Sequence, residues 1–233
     1  MFFVKEKKPI RWQTYLKRIG LLVLLLFLYQ LAEVPMTMLA LPHLSLPWII
    51  FILICSLVAV ALIIWYAWYC YQKVYQQVSH KITKSNLYLI IGSYLVTVVM
   101  SQAFIFLNSK IYGQEDTAND VVLQTLMSHN SIILVTACIF GTFVAPIVEE
   151  LIFRGFLMKG ILVNLKPVYV IIISGLLFSS VHLSSNPISF ALYATMGMIL
   201  AYVFAKTDKI EASITVHMIN NAVALIPMLW GVN

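Results

Sequence analysis

The sequence predicts an all-α protein: a polytopic transmembrane helix bundle of about seven spans with its N-terminus on the cytoplasmic side. Three observations carry this. Of 233 residues, 61% are hydrophobic and only 10% charged, where a soluble domain averages about 25% charged. The apolar residues fall into runs near the roughly 20 that cross a bilayer, and mean hydropathy is +0.92. The charges sit in short clusters between those runs, which is a topology signal. The net charge of +6 therefore reflects membrane orientation, and no nucleic-acid partner is expected.

The first run, about 19–40, follows Lys5, Lys7, Lys8, Arg11, Lys17 and Arg18 and has no small-residue cleavage site, so it reads as an uncleaved first helix. Glu33 and Pro35 interrupt it. An intramembrane acid is a functional candidate by default, but the proline marks a helix end and puts Glu33 near the outer surface. The second run, about 47–70, ends in Trp65, Tyr66, Trp68, Tyr69 and Tyr71, the aromatic pair favoured at headgroup depth. The third is about 87–108, the fourth 131–158, the fifth 167–184, the sixth 187–205 and the seventh 210–230.

The connections set the orientation. Segment 71–86 carries Lys73, Lys81 and Lys84 and no acid, whereas 109–130 carries Glu115, Asp116 and Asp120 against Lys110. Lys159 with Lys166, and Lys206 with Lys209, mark the later inner loops. Basic loops inside place the N-terminus inside and, after seven spans, Asn233 outside. Within 109–130, Val122 with Leu126 and Leu123 with Met127 are spaced for one face of a short interfacial helix. Cys55, Cys70 and Cys138 lie in or at the ends of apolar runs without ligand spacing and read as packing residues, with no disulfide expected.

Residues 1–130 carry almost no other chemistry. The polar groups concentrate later, in three pairs at i, i+4, the spacing that shares a helix face. These are Glu150 with Arg154, Phe178 with His182, and His217 with Asn221. Arg154 neutralises Glu150, and Glu149, rotated about 100° away, is left to face another partner. A carboxylate beside imidazoles positions and deprotonates water; a second His and an Asn donate to an oxyanion. Glu149, His182 and His217 are alternatively a His2Glu zinc set with an open position for water. Both mechanisms remain open at this stage. Gly155, Gly175 and Gly197 suit close helix approach.

Counting along the helices gives depths. Glu150 lies about 14 Å in from Lys159 and His217 about 12 Å in from Lys209, which agree; His182, about 24 Å from Lys166, does not. A later start of the fifth helix, a tilt, or a dip of 155–168 into the bilayer would each explain the difference.

Glu149-Glu150-x-x-x-Arg154, Phe178-x-x-x-His182 and His217-x-x-x-Asn221, in this order, resemble the three motifs of the CPBP family, the CAAX proteases and bacteriocin-processing enzymes also called Abi. Ala145-Pro146, Gly155 and Gly197 fit as well, and the resemblance covers roughly 141–225. It implies a division of one membrane domain into N-terminal helices 1–130 and a catalytic core 131–233. It implies an intramembrane endopeptidase in which Glu149 and His182 activate water, His217 and Asn221 stabilise the oxyanion, and Glu150, Arg154 and Phe178 support the site.

The expected setting is a multi-pass protein of a bacterial cell membrane, hydrolysing a peptide bond near the cytoplasmic leaflet. The substrate would be a peptide or protein, lipidated or a bacteriocin or pheromone precursor. Membrane lipid surrounds the chain, a divalent metal such as zinc is an open alternative, and a membrane sensor kinase is a further candidate partner. A different reading is a non-catalytic membrane protein for bacteriocin self-immunity or sensor-kinase regulation. A transporter is disfavoured by the lack of internal repeats and paired broken helices.

Overall fold

The computed structural model describes residues 10–41, 43–78 and 81–230, with side chains as far as Ile226. Lys5, Lys7, Lys8 and Asn233 lie outside the described residues. The described chain is helical throughout, with no strand among the described residues: α1 (Trp12–Met38), α2 (Leu46–Val74), α3 (Lys84–Tyr112), α4 (Ala118–Met127), α5 (Ser131–Asn164), α6 (Pro167–Ser180), α7 (Pro187–Thr207) and α8 (Ile210–Trp230).

Local chemistry sets the helix ends. Thr83 and Asn86 close a reciprocal capping box at the start of α3, and Thr117 with Asp120 does the same for α4. Gly113, at φ 66°, ends α3 in the left-handed conformation that costs glycine nothing. Asn130 caps α5 by accepting from the Ile133 N–H. Asn186 accepts from the N–H groups of Ile188 and Ser189, with Pro187 in the first turn of α7, where a missing N–H is harmless. The short helix expected within 109–130 is α4. Leu123, Leu126 and Met127 pack inward while Val122 stays exposed, so the apolar face is narrower than the two spaced pairs suggest.

Helices α1, α2, α3, α5 and α7 are long and apolar enough to cross a membrane. α6 and α8 are apolar but shorter by that measure; α6, at 14 residues, is about 21 Å long. The bundle is a multi-pass membrane protein by these marks. Its outer faces carry exposed Leu57, Val99, Val23 and Phe27, as lipid contact requires. All three cysteines are free.

α5 is the central helix. From Ala145 to Met158 every residue except Ile147 is buried. It is also the irregular one, with wide π-helical stretches at Phe140–Val144 and Leu151–Ile161 flanking an α-helical turn at Ala145–Glu150. Pro146 has no N–H and crowds the carbonyl one turn before it, which accounts for the first widening. The two carboxylates thus sit on the short α-helical turn between two π-helical segments, a form that recurs at functional sites.

α6 and α7 pack very closely. A Cβ on Gly197 would lie 2.9 Å from the Gly175 Cα, and one on Gly175 would lie 2.7 Å from the Ala194 carbonyl oxygen. Neither neighbour is a flexible side-chain end, so both glycines are needed for the approach, as the sequence suggested.

Candidate active site

Glu149 is the hub. Its carboxylate is all but buried, at 8% exposure for the residue. Oε1 accepts a hydrogen bond from the Tyr29 hydroxyl of α1 at 3.0 Å. Oε2 has no hydrogen-bond partner among the described residues. It faces the Nε2 atoms of His217 at 3.7 Å and His182 at 4.0 Å. Three elements, α5, α8 and the α6–α7 loop, therefore bring one carboxylate oxygen and two ring nitrogens around a common point.

Each imidazole is oriented from behind. His217 Nδ1 lies 3.1 Å from Glu150 Oε1, and Glu150 pairs with Arg154 Nη1 at 2.9 Å, both side chains fully buried. A carboxylate paired with a guanidinium stays ionised and only accepts, so His217 Nδ1 carries a proton. His182 Nδ1 lies 2.8 Å from the Phe178 carbonyl oxygen. A carbonyl only accepts, so this Nδ1 also donates. In neutral rings both Nε2 atoms are then lone pairs aimed at the Glu149 oxygen.

Arg154 is held on three sides: by Glu150, by the Gly197 carbonyl oxygen at 2.7 Å, and by the Phe178 ring, whose centroid lies 4.6 Å from Cζ. The last is cation–π range. The tight Gly175–Gly197 crossing brings that carbonyl into the core. Phe178 also meets the rings of His182 at 4.4 Å and His217 at 5.7 Å, so it packs against both imidazoles and the arginine.

Asn221 stands apart from this cluster in its contacts. Its amide donates to the Gly141 carbonyl oxygen at 2.9 Å, on the π-helical turn that Pro146 disturbs. Asn220 reaches the Met196 sulfur at 3.2 Å. One amide hydrogen of Asn221 is therefore engaged in satisfying α5 backbone.

Three expectations need correction and one, the second below, is extended. First, His182 is not on the helix with Phe178: α6 ends at Ser180, and the pair meets because the loop folds its ring back over the last turn. Second, the partners that Glu149 faces in place of Arg154 are Tyr29 and the two histidines, and one of them, His217, is shared with Glu150, one acid at each ring nitrogen. Third, residues 1–130 are not without chemistry. Tyr29 bonds the central acid, and Glu33, one turn further along α1, is half-buried and interacts electrostatically with Tyr29 and Glu149. A tyrosine and a glutamate at i, i+4 inside one span was the available signal.

Fourth, the depth count used the wrong reference. α5 runs past Lys159 to Asn164, whose amide bonds Tyr15 of α1 at 2.9 Å. From that level Tyr29 is 14 residues along α1, or about 21 Å, and Glu149 is at most about 22 Å along α5. Both match the roughly 24 Å of His182. The cluster is nearer the α6–α7 loop than the basic end of the bundle.

The zinc alternative can be tested on spacing. Bonds of roughly 2.0–2.1 Å in a tetrahedron put ligand atoms about 3.3 Å apart. The 3.7 and 4.0 Å separations here are wider, and no group of three His, Cys, Asp or Glu among the described residues is arranged to hold a metal ion. The donors as set do not fit zinc.

The fold and site define a class: a multi-pass helical membrane protein with a buried acid–imidazole cluster. Comparison with known proteins shows what the chain is similar to. Residues 123–223, under half of the chain, match the model of the family described as type II CAAX prenyl endopeptidase Rce1-like. It is also similar to "Putative membrane peptidase YdiL" of Bacillus subtilis (strain 168), 26% identical over 117 residues, 50% of this chain and 45% of that protein. The chain thus matches under half the length of that relative. No solved structure matches it.

Proposed function

We propose that the chain is an intramembrane endopeptidase that hydrolyses a peptide bond with a water activated by Glu149 and His182. The observation that carries this is the Glu149 Oε2 atom, without a hydrogen-bond partner among the described residues and faced by two imidazole Nε2 atoms at 3.7 and 4.0 Å. A water lying among the three would be within one hydrogen bond of each.

The reaction balances on these groups. Water gives its proton to Glu149 as its oxygen bonds to the substrate carbonyl carbon. The tetrahedral oxyanion is held by the second N–H of Asn221 and by His217 in its doubly protonated form, which donates from Nε2 while Nδ1 stays fixed by Glu150. When the C–N bond breaks, the leaving nitrogen takes the proton from Glu149, giving a free carboxylic acid and an amine. Glu150, Arg154 and Phe178 do not touch the reacting atoms. They fix the histidines, as the buried acid does in a Ser-His-Asp triad. No step is routed through a metal, because the donors are set too wide for one.

The family description supports a peptide or protein substrate, and a prenylated C-terminal Cys-a-a-X peptide is the first candidate. The cluster's nearness to the α6–α7 loop bears on where the bond is cut. With the basic loops inside, that end is the outer one; cutting near the cytoplasmic leaflet would require the opposite orientation.

The test is cleavage of an internally quenched, farnesylated Cys-a-a-X peptide and its unlipidated counterpart by purified protein in lipid nanodiscs. It is joined to peptide-terminus profiling of membranes from cells expressing the wild type or Glu149→Gln. Cleavage by the wild type that is lost in Glu149→Gln and His182→Gln, with both variants inserted normally, is expected. Retained cleavage in Glu149→Gln would remove Glu149 as the base.

A further inference from the structure

His182 lies two residues beyond the end of α6, and its ring touches helical backbone only through the Nδ1 bond to the Phe178 carbonyl. A pair of aromatic rings sets its plane. Phe178 lies on one side at 4.4 Å, and Tyr193 of α7 stacks at 4.6 Å with an interplanar angle of 23°. Tyr193 is itself anchored. Its hydroxyl lies 2.7 Å from Thr117 Oγ1, both residues being buried. Thr117 has one hydroxyl proton, and it is spent on Asp120 Oδ2 at 2.6 Å. Tyr193 is therefore the donor, and the bonds run one way: Tyr193 O–H to Thr117 O–H to the Asp120 carboxylate.

The same connection grips the loop that carries His182. Gln114 Oε1 accepts from Ser185 Oγ and from Asn186 Nδ2, each at 2.8 Å, and Asn186 Nδ2 also reaches Asn108 Oδ1 at 2.8 Å. The segment between α3 and α4, read from sequence as a mere charged connection, is bonded both to the loop and to the ring that covers His182.

The geometry points to Tyr193 as a positioning residue for His182, held in register by the Thr117 hydroxyl at the start of α4. It acts through His182 and does not touch the reacting atoms. This rests on the proposed role of His182 in activating water.

Two arms test it. In the first, the quenched farnesylated peptide is cleaved by Tyr193→Phe, Thr117→Val, the double variant and Thr117→Ser. Each single loss should lower kcat by roughly 10- to 100-fold, the scale of a small misplacement at a reacting group, with KM little changed. The double variant should lose less than the product of the two single losses, because the Tyr193–Thr117 bond is common to both even though Thr117→Val also opens the α4 capping box and Tyr193→Phe also loses an Asn119 contact, and Thr117→Ser should restore near-wild-type kcat. In the second arm, histidine-labelled protein is compared by NMR, the His182 ring signal being identified by its loss in His182→Asn. Tyr193→Phe and Thr117→Val should both move that signal. Independent, multiplying losses, a rise in KM alone, or a His182 signal unmoved by either variant would overturn the assignment. The second arm needs no cleavage, so a wild type that cuts neither peptide would refute the hydrolytic reading while the NMR still decides the positioning.

Discussion

Arg154 offers a quantitative test of how the site is held. Its side chain is fully buried beside a fully buried Glu150, 2.9 Å away. Replacing it with Met keeps the volume and the contact with the Phe178 ring but leaves a carboxylate in the core with no counter-charge. Breaking a buried pair by removing one partner costs about 3–5 kcal/mol, whereas replacing both by neutral groups is far cheaper. Arg154→Met should therefore lower the unfolding midpoint of detergent-solubilised protein by roughly 10 °C, at about 2–4 °C per kcal/mol for a chain of this length. Glu150→Gln combined with Arg154→Met should recover most of that loss. Activity should stay low in the double variant, since His217 Nδ1 no longer faces a carboxylate. A single variant as stable as wild type, or a double variant less stable than the single one, would refute the view that Arg154 serves chiefly to neutralise Glu150.

Tyr29→Phe removes the hydrogen bond to Glu149 Oε1 while keeping the ring that stacks on Phe140 at 6.5 Å; cleavage should fall about tenfold or more with insertion unchanged, measured as initial rates on the quenched peptide. Gly197→Ala puts a Cβ 2.9 Å from the Gly175 Cα and should destabilise by roughly 1–3 kcal/mol, read as a lower thermal midpoint, with activity falling because the Gly197 carbonyl shifts from Arg154. Burial raises the Asp120 carboxyl above the ordinary aspartate range, against the lowering effect of its Thr117 hydrogen bonds. The folded state then holds that proton to higher pH than the unfolded one, so this group's contribution to stability is fully present below the ordinary aspartate pKa and is lost as pH rises through the raised value. Asp120→Asn should flatten that dependence, seen in midpoints measured across the acid range.

What the sequence carried depended on how local the signal was. The long apolar helices follow from run length, which acts locally. The capping boxes that open α3, α4 and α7 are equally local but went unread, and run length alone puts the start of α3 at about 87 in place of Lys84. The Glu149-Glu150-Arg154 turn was legible for the same reason, since the pair is made within one helix. Tyr193 was not legible, and Tyr29 only through its i, i+4 spacing to Glu33, because an aromatic residue in an apolar span looks like packing until the helix opposite is known. Tyr193 in particular sat among Phe190, Met196 and Tyr202, with nothing in its own neighbourhood to separate it from them. The depth error has the same root: Lys159 reads as a boundary residue by charge, yet its ammonium pairs with Asp208 and lies over the Tyr75 and Phe204 rings, and it is only partly exposed. A lysine whose charge is met by protein no longer reports where the bilayer ends, and the level at which Asn164 meets Tyr15 replaces it. Moving that reference is what makes α1, α5 and the α6–α7 loop agree on one depth for the cluster, and that agreement comes from three separate stretches of chain.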